Sequence, residues 1–177
     1  PKGGMASVLG GDAAVIAEVA KECGIDVANY NSPGQIVISG EAGKVDAAVA
    51  MLKEKGMRKI VPLTVAGAFH SRLMASAGEG LAQVLADAAI ELPAFPVYHN
   101  FTGAPAGSVA ELKDALKNQV AGSVHWYQSV EKMVESGADA MIEFGPGNVL
   151  TGLLRRTCKD VPGYNINSWE SLNNFNN

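Results

Sequence analysis

Cysteine is scarce in this chain. Cys23 and Cys158 are the only two among 177 residues, too few and too far apart for a Cys/His metal framework or the disulfide lattice of a small secreted domain. A reducing, cytoplasmic location is the expectation that follows. A basic surplus is lacking too: 14 Lys+Arg face 18 Asp+Glu, a formal net charge of −4. Scattered basic residues under a negative balance exclude a general nucleic-acid binder, whose affinity rests on neutralising phosphates. No stretch approaches the ~18 uninterrupted apolar residues of a membrane span. No Gly-x-Ser-x-Gly occurs, so the chain carries no nucleophile elbow, and no Gly-Lys-Ser/Thr ending is present to cradle a phosphate. Pro1-Lys2-Gly3-Gly4 lacks the apolar h-region of a signal peptide. It runs at once into the strand-like Met5-Ala6-Ser7-Val8-Leu9, which reads as a piece of a longer polypeptide.

What is present is core-forming material: 47% hydrophobic and 18% charged residues, a globular balance. Residues 5–9 read as a buried strand stopped by Gly10-Gly11, with Asp12 as N-cap of a helix. Val15, Ile16, Val19, Ala20 and Cys23 fall on one face of that helix, and Gly24 closes it. Asp26 to Tyr30 and Gln35 to Ser39 read as hairpin strands joined at Asn31-Ser32-Pro33-Gly34. Residues 41–55 form a helix with a Val45, Ala48, Val49, Leu52 stripe, and Arg58 to Leu63 a fourth strand. This βαββαβ order is the ferredoxin-like pattern, expected to occupy residues 1–65. From 66 to 177 the grammar changes to alternating strands and helices. A long helix is expected over 71–90, a strand at Val97–Asn100, and helices over 108–120 and 126–136. A strand at Ala140–Phe144, a helix over 148–158 and a strand at Tyr164–Asn167 follow, the signature of parallel α/β architecture. The Asn-rich 173–177 is expected to fray.

Three histidines invite a chemical reading. His70 sits where a strand ends and a long helix begins, a common position for a functional side chain, and imidazole exchanges protons near neutral pH; by position alone, an N-cap neighbour or satisfied core histidine is the commoner role. His99, inside a strand, reads as structural, and His125, before Trp126, as packing or capping. Glu143-Phe144-Gly145-Pro146-Gly147-Asn148 runs from a strand through a glycine turn into a helix. Free amides at that helix start suit an anion, but a third fingerprint glycine is replaced by Leu150, so a plain tight turn is the competing reading. Asn31 and Gln35 carry amides able to hold a carbonyl or hydroxyl. Arg58-Lys59 can meet a phosphate or an acidic partner, or can be a solvated pair on a strand edge.

Taken together, Asn29-Tyr30-Asn31-Ser32-Pro33-Gly34-Gln35, Gly67-Ala68-Phe69-His70-Ser71-Arg72-Leu73-Met74, Val124-His125-Trp126 and Glu143 to Leu153 resemble the malonyl-CoA:acyl-carrier-protein transacylases of bacterial type II fatty-acid synthesis. The resemblance implies an α/β fold in which a ferredoxin-like subdomain joins the C-terminal part of an α/β-hydrolase-like acyltransferase core. It implies ping-pong transfer of malonyl from malonyl-CoA to the phosphopantetheine thiol of acyl carrier protein, through a malonyl-serine intermediate. By the same resemblance His70 is the proton-transferring histidine, and Gln119 supplies the backbone carbonyl that orients it. Phe69 sits beside the acyl α-carbon and favours malonyl over branched groups, while Asn31 and Gln35 line the pocket near the thioester and pantetheine arm. Arg58 and Lys59 meet coenzyme A phosphates or the acidic carrier. No cofactor is implied, since the coenzyme A thioester is a substrate.

The family's Gly-Gln-Gly-Ser-Gln loop, its Gly-His-Ser-Leu-Gly serine elbow and its malonate-pairing arginine do not occur in this sequence. The chain is therefore expected to be a proteolytic or split segment that works with an N-terminal portion carrying the nucleophilic serine. A non-catalytic acyl-carrier or ligand-binding module that lost the serine is the alternative. A nucleotide-binding protein using Gly145-Pro146-Gly147 is a weaker third.

Overall fold

The computed structural model describes residues 2–175. Contacts divide the chain into two compact units, Pro1–Ser129 and Val130–Asn177. The boundary expected between 65 and 66 therefore falls inside the first unit.

The first unit begins with β1 (Gly3–Leu9), α1 (Ala13–Glu22), β2 (Asp26–Ser32), β3 (Gln35–Glu41), α2 (Ala42–Glu54) and β4 (Lys59–Pro62). The four strands form one sheet in the order β2-β3-β1-β4, and β1 pairs antiparallel with both β3 and β4. This is the split βαβ arrangement that the element order predicts. Asp12 starts α1 as expected: its carboxylate accepts from the amides of Ala14 at 2.7 Å and Val15 at 3.4 Å. Ile16, Val19 and Ala20 of α1 and Val45, Ala48 and Leu52 of α2 close over Ala6, Val8, Ile36 and Ile38 of the sheet. Met5, Ala28 and Val37 form a second buried cluster. Met5 to Val8 are all buried, so β1 reads as a continuous run rather than an alternation.

β2 carries two register irregularities, between Val27 and Asn29 and between Tyr30 and Ser32. On the outer edge of β2 the chain meets Val124: the Val124 amide donates to the Ala28 carbonyl and the Tyr30 amide to the Val124 carbonyl, each at 2.8 Å. The Ser123 hydroxyl donates to the Val27 carbonyl at 2.6 Å. The segment 123–125 thus covers the outer edge of β2. The outer edge of β4 meets no strand among the described residues, and it carries exposed Lys59 and Pro62.

Beyond β4 the expected long helix over 71–90 is not continuous. Ser71 caps a 3-10 turn, Arg72–Met74, through a hydrogen bond from the Leu73 amide, and α3 then runs from Ala75 to Asp87. Ala88 returns to extended backbone, with ψ 127°. β5 (Tyr98–His99) pairs antiparallel with β6 (Ala104–Pro105), a strand the sequence does not announce, and α4 (Val109–Gln119) follows. α5 (Trp126–Glu135) contains the division between the units.

In the second unit β7 (Met141–Phe144) and β8 (Gly163–Ile166) pair in parallel, with α6 (Val149–Thr157) between them in sequence. A further helix, α7 (Trp169–Phe175), follows β8. The expected fraying of 173–177 does not hold through Phe175, and the last two residues lie outside the described ones.

Candidate functional site

His70 and Gln119 meet. Gln119 ends α4, and its backbone carbonyl lies 3.0 Å from Nδ1 of His70. A carbonyl can only accept, so Nδ1 carries the proton, and the Nε2 lone pair is left outward as a base. The Gln119 side-chain amide also faces this nitrogen, with its Nε2 at 3.2 Å, while its own buried Oε1 has no partner. The same Nε2 also lies 3.5 Å from the Gly122 carbonyl, to which it donates. The backbone oxygen fixes the tautomer, and among the described residues no carboxylate is hydrogen-bonded to the ring.

The backbone beneath the ring is unusual. His70 has φ 53°, the only positive value at a non-glycine position among the described residues. A side chain with Cβ occupies that region at a cost of about 1–2 kcal/mol, and strain of this kind persists where surroundings over-determine it. Before it, buried Ala68 lies so close to Gly3 that a methyl group on Gly3 would run into the Ala68 backbone. After it, the fully buried Ser71 hydroxyl donates to the Ala68 carbonyl at 2.7 Å. Next comes Arg72, whose amide donates to Asp26 Oδ2 at 2.8 Å and whose guanidinium donates to Asp26 Oδ1 at 2.7 Å. Arg72 also reaches the Ile25 carbonyl at 3.1 Å. Burial pushes the Asp26 carboxyl up, but hydrogen bonds from the Arg72 side chain and amide, helped by its charge, outweigh this and bring it below its ordinary value. Asp26 and Arg72 carry no role in the sequence reading. The only signal was that Arg72 lies inside the motif around His70.

The other sequence-identified residues fall into separate pairs. Phe69 precedes His70 and is 43% exposed. Asn31 and Gln35, both half-buried, flank the Ser32-Pro33-Gly34 turn, and Gln35 is paired in register with both Ser32 and Leu9. Leu9 is also the register partner of Lys59, so Gln35 and Lys59 flank β1 two strand spacings apart, roughly 10 Å. Arg58 and Lys59 are exposed and line a cleft of about 440 Å³ together with Gly10, Gly11 and Lys55. This cleft lies at the Leu9 end of β1, whereas the His70 loop packs at Gly3. The six residue steps between them amount to ~20 Å. His125 stacks on Tyr30 with ring centroids 5.2 Å apart at 12°, the packing role expected of it, and His99 lies in β5.

In the second unit, the reading of the glycine turn as an anion site is overturned. The amides of Leu150 and Thr151, at 3.1 and 2.8 Å, and the Thr151 hydroxyl at 2.7 Å all donate to the Glu143 carboxylate. The chain's own acid occupies the helix start that a phosphate would need. Those bonds, the Thr151 hydroxyl foremost, hold the Glu143 carboxyl below the usual carboxylate range. Among the described residues no group of three or more His, Cys, Asp or Glu is placed to hold a metal ion, and no helix is long and apolar enough to cross a membrane.

An α/β chain with a histidine locked onto a backbone carbonyl finds its counterpart among acyltransferases. The acyl transferase domain family matches residues 1–172, and the chain belongs to it. Among individual relatives, it is 38% identical over 176 residues to the malonyl CoA-acyl carrier protein transacylase of Bacillus subtilis, covering 97% of this chain and 56% of the relative. The solved acyl carrier protein S-malonyltransferase of Vibrio cholerae matches with TM-score 0.95 at 34% identity, covering 98% of this chain and 58% of that one. A structure of a type II polyketide-synthase acyl-carrier protein in complex with its malonyl-transacylase matches with TM-score 0.93 at 34% identity, covering 99% of this chain and 59% of that one. The chain thus spans a little over half the length of these relatives.

Proposed function

We propose that this chain supplies the histidine half of an enzyme that moves malonyl from malonyl-CoA to the phosphopantetheine thiol of acyl carrier protein. The fixed hydrogen bond from His70 Nδ1 to the Gln119 carbonyl carries this reading, because it leaves Nε2 as the acceptor. A serine hydroxyl, supplied by polypeptide outside these 177 residues, gives its proton to Nε2 as its oxygen attacks the thioester carbonyl. The carbon–sulfur bond breaks, and the imidazolium returns the proton to the departing coenzyme A sulfur. In the second half the carrier thiol gives its proton to Nε2 and attacks the malonyl-serine ester, and the serine oxygen leaves reprotonated.

Phe69 lies beside the acyl group in this reading, and Asn31 and Gln35 hold the arm. Arg58 and Lys59 take the phosphates of coenzyme A or the acidic carrier. A separation of ~20 Å along β1 suits a substrate whose reacting end and charged end are joined by a long arm. Residues 1–65 act as the ferredoxin-like subdomain and 66–177 as the C-terminal part of an α/β-hydrolase-like core. The setting is cytoplasmic, and coenzyme A enters as substrate rather than resident cofactor. The deciding experiment assembles the chain with the serine-bearing polypeptide and follows malonyl transfer to carrier. His70→Ala is expected to slow it by about 10²–10⁴-fold, and an unchanged rate removes His70 from the reaction.

A further inference from the structure

We propose that Asp26 and Arg72 are positioning residues, whose ion pair holds the left-handed turn at His70 and so keeps the imidazole against Gln119. The inference rests on His70 being the base, but the clamp itself is a property of this chain alone. Three observations converge on it.

The first is the backbone. A φ of 53° at His70 is uncommon outside glycine and carries a free-energy cost, although histidine is among the residue types that adopt it most. Fixed flanks offset that cost and hold the loop in this conformation.

The second is how unequal those flanks are. On the amino side, Ala68 is wedged against Gly3 by packing. On the carboxyl side, Ser71 folds back on Ala68, a bond that closes the turn but moves with it. Arg72 ties that flank to a distant element by hydrogen bonds: its amide and guanidinium donate to Asp26, and its guanidinium also reaches the Ile25 carbonyl. The acceptors lie 46 and 47 residues earlier in the chain. A planar guanidinium against a carboxylate fixes direction as well as distance, which an ammonium does not.

The third is the destination. Asp26 is the first residue of β2, and the outer edge of that strand also receives Ser123 and Val124, four and five residues beyond Gln119. The loop bearing the imidazole and the segment that follows its carbonyl partner are therefore registered on one strand. Releasing Arg72 lets the ring move relative to an acceptor that stays in place.

Nitrogen-15 NMR of the three histidines in the full 177-residue chain tests this. His99 and His125 serve as internal references. In the unaltered chain His70 is expected as the Nδ1–H tautomer, with the strong intraresidue amide–Hα NOE of a residue at positive φ. In Arg72→Met and in the milder Asp26→Asn, which keeps an acceptor for the Arg72 amide, the tautomer is expected to shift toward the Nε2–H mixture of a free imidazole. His99 and His125 stay unmoved. Arg72→Lys, keeping the charge without the fork, is expected to fall between.

In the assembled enzyme the same variants are expected to lower kcat by about 10- to 100-fold with KM little changed, as for a misplaced catalytic group. Folded variants with the His70 tautomer and intraresidue NOE unaltered overturn the proposal; Asp26→Asn keeps that outcome accessible if Arg72→Met fails to fold. If His70→Ala leaves transfer intact while the NMR shift appears, the clamp stands and the catalytic reading falls. If the NMR is unmoved while His70→Ala abolishes transfer, the reverse holds.

Discussion

The imidazole of His70 is oriented by the main chain of Gln119, its Nδ1 lying 3.0 Å from a carbonyl oxygen 49 residues further on. A backbone acceptor cannot be removed by changing the side chain that follows it. Gln119→Ala therefore keeps the principal bond and loses only the amide contact. A single hydrogen bond contributes about 0.5–1.5 kcal/mol net, so transfer is expected to fall only about two- to thirteen-fold. A loss as large as that of His70→Ala, in the same malonyl-transfer assay, places the orienting role on the side chain instead.

Phe69 offers its ring on the residue next to the proposed base. A filled pocket rejects an added methyl group by about 1–3 kcal/mol, or roughly 10- to 200-fold. Phe69→Ser is expected to raise the ratio of methylmalonyl to malonyl transfer, read as kcat/KM for each thioester. A ratio that stays put rules out the steric account.

Glu143 makes a stability prediction independent of function. Its carboxyl is held below its ordinary value of 4.5, so its contribution is complete above that value and is lost as pH falls through the lowered one. Glu143→Gln is expected to melt earlier than the unaltered chain at neutral pH, with a gap that narrows below about pH 4.5. Asp26 titrates in both proteins and cancels from the difference. A gap of constant size across acid pH contradicts the assignment of Glu143 as the cap of α6.

Much of the first sixty residues was legible because each local signal agreed with the others. Asp12 precedes an apolar stripe, Pro33-Gly34 sits between two apolar runs, and helix and strand periods alternate cleanly. The sequence could not show what depends on distant pairing. Nothing near Arg72 announces that it reaches Asp26, or that the bond fixes the conformation two residues earlier.

The long helix expected over 71–90 breaks because Ser71 spends its hydroxyl capping a 3-10 turn. Strand β6 has two residues and α7 has no buried face, so neither leaves a periodic trace. At the glycine turn the motif was visible. The acid that fills it lies seven and eight residues before its donors, a pairing that no local pattern signals.

The exposed margin of β4 has a consequence for how copies of this chain treat one another. A strand with open amides and carbonyls is a template on which a neighbour can add a rung, and repetition of that step builds a fibre. Here the rung is spoiled at both ends, since Pro62 has no amide hydrogen to offer and Lys59 would set like charges face to face. At the opposite margin, Ser123 and Val124 already occupy the berth. Polymerisation through the sheet is thereby discouraged without spending any part of the helix-covered face.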